Sequence, residues 1–472
     1  MSDSVATATE KAGVRCGMLS ILVGHSYFLR LDQKQWARAK PYPPLATLQV
    51  AQSLREAGHD VRLFDAMLAE GTQDYDNQLQ RDRPHLALFY EDNFSFSNKM
   101  FLGKMRAAAC RMIANARQAG ARVIAAGADA AAAPQAYLAA GAEVVLIGEG
   151  LATLRALVAR LDARPDLAGS ELTAGLAGIA LRIDGQVSIV KFRALPPSPH
   201  EPTRAAWDLI DIERYRTFWR ASHSFFGLNI TASRGCSLRR NWDAKPNWGD
   251  RYLQRPADET AAEMTFVKQN FKPDHIWFTD DIFAFRVDWV ADFAAAVHAS
   301  GGSVPFTIQT RADLVSTAMV RALKYADCRE VWIAAESGSQ RLLEGAQRRT
   351  PGADIPAART QLAAQNIRVG LFIQLGYLGE ELADILAMRA LLDSTRPDDV
   401  EIDVMFDGIY APVFYGAVYD LMHDQICIEN LHRHRRAVDY RRERRSLVRR
   451  WTHLLANEQR YRVRANAAAA SN

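Results

Sequence analysis

Twice along this chain, short runs of β-branched and other apolar residues alternate with stretches of helical period. That alternation marks βαβ units, in which a crossover helix returns the chain to a neighbouring parallel strand. In the first series, residues 18–23, 61–64, 86–90, 122–126 and 144–147 read as strands. Leu45, Leu48, Ala51 and Leu54 line one helical face between the first two, with Gly58 closing the helix. An open parallel sheet binds ligands in the crevice beyond its carboxyl ends. The loops there carry Glu91, Asp92, Asn93 and Phe94, then Gly127, Ala128 and Asp129, then Gly148, Glu149 and Gly150. These are the candidate cofactor-binding residues.

The second series begins near Leu228, with strands expected at 228–230, 275–278, 306–308, 330–333 and 369–373, about two-thirds of a (β/α) barrel. Barrels carry their chemistry at the carboxyl ends of the strands. Asp280, Asp281, Gln309, Arg311, Glu336 and Gln374 fall there and are the candidate catalytic residues. Asp280 and Asp281 equally suit the cap of a following helix. Between the two series, Asp184-Gly185 marks the turn of a hairpin over 179–190, and Pro196 to Pro199 marks a linker. The expected division is a tail (1–14), a doubly wound domain (15–165), a linker with a hairpin (166–222), a partial barrel (223–400) and a helical, basic C-terminal segment (401–472).

At 472 residues, 49% hydrophobic and 24% charged, the chain is long enough for two or three domains with buried cores and is not a disordered polymer. A net charge of only +4 makes no case for nucleic acid or for an anionic membrane surface. The excess is local: His432 to Arg450 holds nine arginines and two histidines, interleaved with Val438, Tyr440, Leu447 and Val448. Such a stretch suits a solvated amphipathic helix, or a patch for RNA, phosphate or a protein partner. His423, His432 and His434 have no zinc spacing and read as surface residues. The five cysteines lie far apart, as in a reducing cytoplasm. The first residues lack a signal-peptide pattern and no uncharged apolar run reaches the length of a membrane span, so a cytoplasmic protein is expected.

Taken together, these segments resemble the cobalamin-binding radical S-adenosylmethionine (SAM) proteins, the group of the anaerobic magnesium-protoporphyrin monomethyl ester cyclase and many cobalamin-dependent methyltransferases. The likeness runs from about residue 40 to about residue 425. It rests on Pro43-Pro-Leu45, Arg55 to His59, Asp92 to Phe94, Gly127 to Asp129 with Tyr137 to Gly141, and Gly148 to Gly150. Further along it rests on Ala206 to Ile210, Arg234-Gly-Cys236, Phe278 to Asp281, Gln309 to Asp313, Trp332 to Ser339 and Arg368 to Glu380. The resemblance implies cobalamin on the first domain, held by the three loops named above, and SAM or substrate facing Asp280, Gln309, Arg311, Glu336 and Gln374. No Asp-x-His-x2-Gly is present, so a histidine lower ligand is not expected.

The chain departs from the family at two places. Its cluster loop resembles Cys-x3-Cys-x2-Cys, yet Cys236 is followed by Arg240 and Asp243 where two thiolates belong. A guanidinium cannot coordinate a cationic metal, and one thiolate is poor support for a [4Fe–4S] cluster, which is therefore not expected. After Pro397-Asp-Asp399, a Met405-Phe-Asp-Gly-Ile-Tyr410 stretch arrives almost at once, so the last barrel strand and part of the SAM wall are expected to be deleted. Three functions fit. One is a cobalamin- or SAM-dependent transferase acting on a small molecule by polar chemistry. Another is a catalytically silent paralogue, acting as a cobalamin sensor or as the partner of an intact radical SAM protein. The third is a cyclase-like oxidoreductase acting on a tetrapyrrole.

Overall fold

The computed structural model describes residues 17–91, 102–191, 204–235, 252–345, 354–375 and 380–404. The chain divides into two compact units. One comprises Met1–Trp36, Pro44–Asn93 and Lys104–Asp211, the other Ala37–Pro43, Phe94–Gly103 and Ile212–Asn472.

The first unit is built on a seven-stranded sheet of order β2-β1-β3-β4-β5-β6-β7. Its strands are β1 (Ser20–Gly24), β2 (Asp60–Phe64), β3 (Leu86–Tyr90), β4 (Arg122–Ala126), β5 (Val144–Leu146), β6 (Ile179–Ile183) and β7 (Gln186–Val190). β1 to β5 are mutually parallel, and β6 and β7 add in antiparallel register. The hairpin expected in a linker is thus the extended edge of this sheet. Both faces are apolar because helices cover both, as in doubly wound folds. One face buries Leu22, Phe89 and Val123 with Tyr75 and Met112, and the other buries Val23, Leu88 and Ile124 with Leu54 and Leu157. The order reverses between β1 and β3, which is the switch point where such sheets open a crevice.

The second unit holds a six-stranded, fully parallel sheet in the order β15-β14-β13-β12-β11-β8. These strands are β8 (Gly227–Ile230), β11 (His275–Phe278), β12 (Phe306–Thr310), β13 (Cys328–Glu336), β14 (Arg368–Leu375) and β15 (Asp399–Val404). A small antiparallel pair, β9 (Ser233–Arg234) and β10 (Leu253–Gln254), interrupts the series. One face of the sheet is aliphatic, with Ile276, Ile308, Val331, Ile333 and Leu371 buried. The helices Thr317–Tyr325 and Asp354–Ala364 pack against β13 and β14.

β15 corrects the expected deletion. It follows Pro397 directly and pairs with β14 from Gly370↔Asp399 to Leu375↔Val404, so a sixth strand is present and runs past the boundary expected at residue 400. The rest of the expected helical, basic segment, with His423, His432 and His434, lies outside the described residues.

Candidate functional site

At the carboxyl edge of the first sheet, five strand ends bring polar groups together. β1 delivers His25 and Ser26, β2 delivers Asp65, β3 delivers Glu91, β4 delivers Gly127 and Asp129, and β5 delivers Gly148 to Gly150. Glu91 extends the β3 ladder, donating its backbone N–H to Ala126 O (3.1 Å). Its side chain spans the switch point, where Oε2 accepts the Ser26 N–H at 2.9 Å. Oε1 is buried and, among the described residues, has no hydrogen-bond partner. His59, Tyr75 and Asp162 in this unit also carry such atoms, but on helices or at the amino end of β2. Burial pushes the Glu91 carboxyl above the usual carboxylate range; the Asp129 charge adds to this, and His25 and Ser26 oppose it.

Gly127 lets the Glu91 side chain cross over β4. Its φ is +125°, and a Cβ there would lie 2.5 Å from the Glu91 Cβ. Asp129 is held from two sides, by Arg106 (Nε 2.8 Å) and by the Tyr137 hydroxyl (2.8 Å). Burial, with Glu91 and Asp129 beside it, drives the Tyr137 phenol well above its ordinary range. His25, 1% exposed, has both ring nitrogens engaged by the protein. Nε2 lies 3.1 Å from both Asp65 Oδ1 and the Ala66 N–H, and Nδ1 lies 3.3 Å from the Tyr27 N–H. Ala128 and Gly148 are buried. Glu149 is half-buried, and its carbonyl accepts the Tyr90 hydroxyl at 2.8 Å. Gly150, at φ +72°, opens the helix Leu151–Ala163. Asp92, Asn93 and Phe94 lie outside the described residues.

The carboxyl ends of the second sheet behave differently. Asp280, 2% exposed, caps no helix, since the next one begins at Val287. It grips the residues after β8, accepting the Ala232 N–H (3.0 Å) and the Ser233 hydroxyl (2.5 Å). Burial outweighs these bonds and raises its carboxyl to about 7. Arg255 holds the same segment, donating to Thr231 O (2.7 Å) and pairing with Glu263. With β9 and β10 these contacts form the neck of the loop 236–251, so Cys236, Arg240 and Asp243 lie outside the described residues. Asp281 is exposed. Arg311 is chelated by Asp313 two residues on (2.7 and 2.6 Å).

Gln309, Trp332, Phe372 and Gln374 share the non-aliphatic face of the sheet, where Gln309, Trp332 and Gly370 are lateral partners. A Cβ on Gly370 would lie 2.3 Å from the Trp332 indole, so this glycine lets the ring lie across β14 toward Phe372, 4.8 Å away. Glu336 ends β13 at φ +61°, a left-handed backbone that is uncommon for a non-glycine residue. The sheet therefore gathers Gln309 and Gln374, while Asp280 and Arg311 are committed to protein groups.

Sequence reasoning missed His25, Ser26, Arg106 and the segment Ala37–Pro43, which belongs to the second unit. There Arg38 pairs with Asp399 (2.9 Å) and Glu401 and sits 5.5 Å from the Trp332 ring centroid. Trp219 donates to Pro41 O (2.7 Å) and Asn229 to Pro43 O (3.1 Å). His25 had a readable signal, being the first polar side chain after an apolar strand. Arg38 had none, because its partners lie some 360 residues away.

No protein-family model and no curated protein matches the chain. Solved structures do. The radical SAM methyltransferase TsrM from Kitasatospora setae, with cobalamin and a [4Fe–4S] cluster bound, superposes with a TM-score of 0.65 at 17% identity, over 82% of this chain and 72% of that one. The fold is that of cobalamin-dependent radical SAM enzymes. TsrM with tryptophan substrate and aza-SAM bound gives 0.62 at 16% identity, over 81% and 72%. OxsB, with aqua-cobalamin and SAM bound, gives 0.63 at 15% identity over 86% of this chain, which spans only 56% of OxsB.

Proposed function

We propose that this chain is a corrinoid-dependent transferase that moves a methyl or other one-carbon group to a small molecule without a cluster-initiated radical. Cobalamin would lie on the carboxyl edge of the first sheet, and SAM or the acceptor at the strand ends of the second. The observation that carries this reading is the orphaned, buried Glu91 oxygen at the switch point of a fold shared with cobalamin enzymes. A buried polar atom without a partner costs about 1–3 kcal/mol, which a ligand group can recover. Gly127 and Gly150, both at positive φ, leave room for the Glu91 and Leu146 side chains that pack against them at this edge. When bound, cobalamin supplies a transferable alkyl group. The protein's part is to seat it with Glu91 and the loops after β4 and β5, and to hold Asp129 rigid through Arg106 and Tyr137.

The [4Fe–4S] cluster does not fit. Its donor set would be one thiolate, a guanidinium and a carboxylate, and no step is routed through it.

A second reading, a silent corrinoid-binding sensor or partner subunit, is favoured by Asp280 and Arg311, whose polar atoms serve the protein. Equilibrium dialysis with hydroxocobalamin and, separately, with SAM divides the two. A SAM-dependent transferase binds both, and the sensor binds the corrinoid alone. Binding of neither removes both readings.

A further inference from the structure

One oxygen of Glu91 is used and the other, buried, has no partner among the described residues. Oε2 is occupied as an acceptor by the Ser26 N–H, so a proton on this carboxyl belongs on Oε1, which then becomes a donor without an acceptor. Burial favours that form and the Asp129 charge adds to it, while His25 and Ser26 oppose it. His25, fastened to Asp65, faces it from the β1 and β2 loops. Asp129 faces it from the helix Ala128–Ala132 and Tyr137 from the helix Pro134–Ala140, with Arg106 and Cys110 behind them on the helix Leu102–Gln118. The Arg106 guanidinium is spent on Asp129 through two bonds, so it does not neutralise Glu91.

Building on the corrinoid reading, we propose that Glu91 is a neutral carboxylic acid that donates a hydrogen bond through Oε1 to an acceptor oxygen of the corrinoid. That oxygen is either an amide carbonyl of the corrin periphery or the phosphate of the nucleotide loop. An ionised Glu91 would present only lone pairs to it, beside the charge of Asp129. Burial keeps the acid form to higher pH than in an ordinary glutamate. Binding that needs this form is intact below the raised pKa and weakens above it, by about tenfold per pH unit for one proton.

The test is a pH series of affinities from about pH 5.5 to about pH 9, measured by equilibrium dialysis with the full chain and with Glu91→Gln. Cyanocobalamin is the probe, since its axial cyanide does not titrate in that range. The wild-type dissociation constant should climb with pH, while that of Glu91→Gln, whose amide donates at every pH, should stay flat. An infrared difference spectrum of the two ligand-free proteins at neutral pH should show a protonated carboxyl in the wild type alone. Repeating the series with dicyanocobinamide, which lacks the nucleotide loop, identifies the oxygen: a retained pH dependence names a corrin amide and a lost one names the phosphate, and either supports the assignment. A flat wild-type profile, or a Gln variant that follows the wild type, overturns the role of Glu91 and leaves the corrinoid reading standing. No binding by the wild type at any pH overturns both.

Discussion

The two sheets end in similar sets of acids, glycines and arginines, yet they use them in opposite ways. At the first edge, Glu91 keeps an unpartnered buried oxygen while Asp129 is over-determined by Arg106 and Tyr137. At the second, Asp280 closes on Ala232 and Ser233, and Arg311 closes on its own neighbour Asp313. A buried polar group that the protein leaves unsatisfied is evidence for a ligand, whereas one it satisfies is evidence for architecture. Glu91 meets that criterion at the switch point of the first sheet; single buried atoms of Asn229, Arg255, Glu259, Glu263 and Arg359 in the second unit are also without a partner. In the second unit, Asp280 and Arg255 hold the residues that flank positions 236–251.

The largest expected effect comes from filling the crevice. Gly127→Val places side-chain atoms on the Glu91 side chain at a φ of +125°, which should cost about 3 kcal/mol in a urea melt and abolish cobalamin binding. A variant that binds cobalamin as the wild type does breaks the first half of the comparison.

Next comes the clamp. The Asp280 carboxyl is raised from its usual 3.8 to about 7, so its contribution to stability is full below about pH 4 and is lost as the pH rises through 7. Wild type should therefore lose on the order of 2–4 kcal/mol relative to Asp280→Asn across that interval, read by chemical denaturation at each pH. Parallel profiles for the two proteins would show that Asp280 is ionised in the fold and available to a ligand.

The smallest effect belongs to Arg311. Arg311→Lys breaks a two-pronged pair with Asp313 that is partly open to solvent, at a cost of less than about 1 kcal/mol, and should leave SAM affinity unchanged. A loss of SAM binding without loss of stability would return Arg311 to the site and blur the contrast between the two edges.

Much of this architecture was legible because parallel strands buried on both faces advertise themselves as apolar runs. β3, β4 and β11 lie where the residues placed them, and the other strands of both series differ by a few residues at their ends. β15 was not legible. Asp399, Glu401 and Asp403 alternate with Val400, Ile402 and Val404, so the strand carries a period of two under a load of carboxylates. Arg38, which neutralises two of them, sits at the other end of the sequence. The candidate residues were placed at the correct strand ends, but their commitments were not readable. Asp280 serves Ser233 across nearly fifty residues, and Glu91 is exceptional only through the absence of a partner, which no local pattern encodes.

The central claim is that the corrinoid site of this fold is kept while the cluster is gone. The most direct test is an absorption spectrum with an iron assay on the full chain, purified anaerobically and reconstituted with iron, sulfide and hydroxocobalamin. The account predicts bound corrinoid with iron at background. About four irons per chain, with the broad absorbance of a thiolate-bound cluster, would contradict it and restore a radical enzyme.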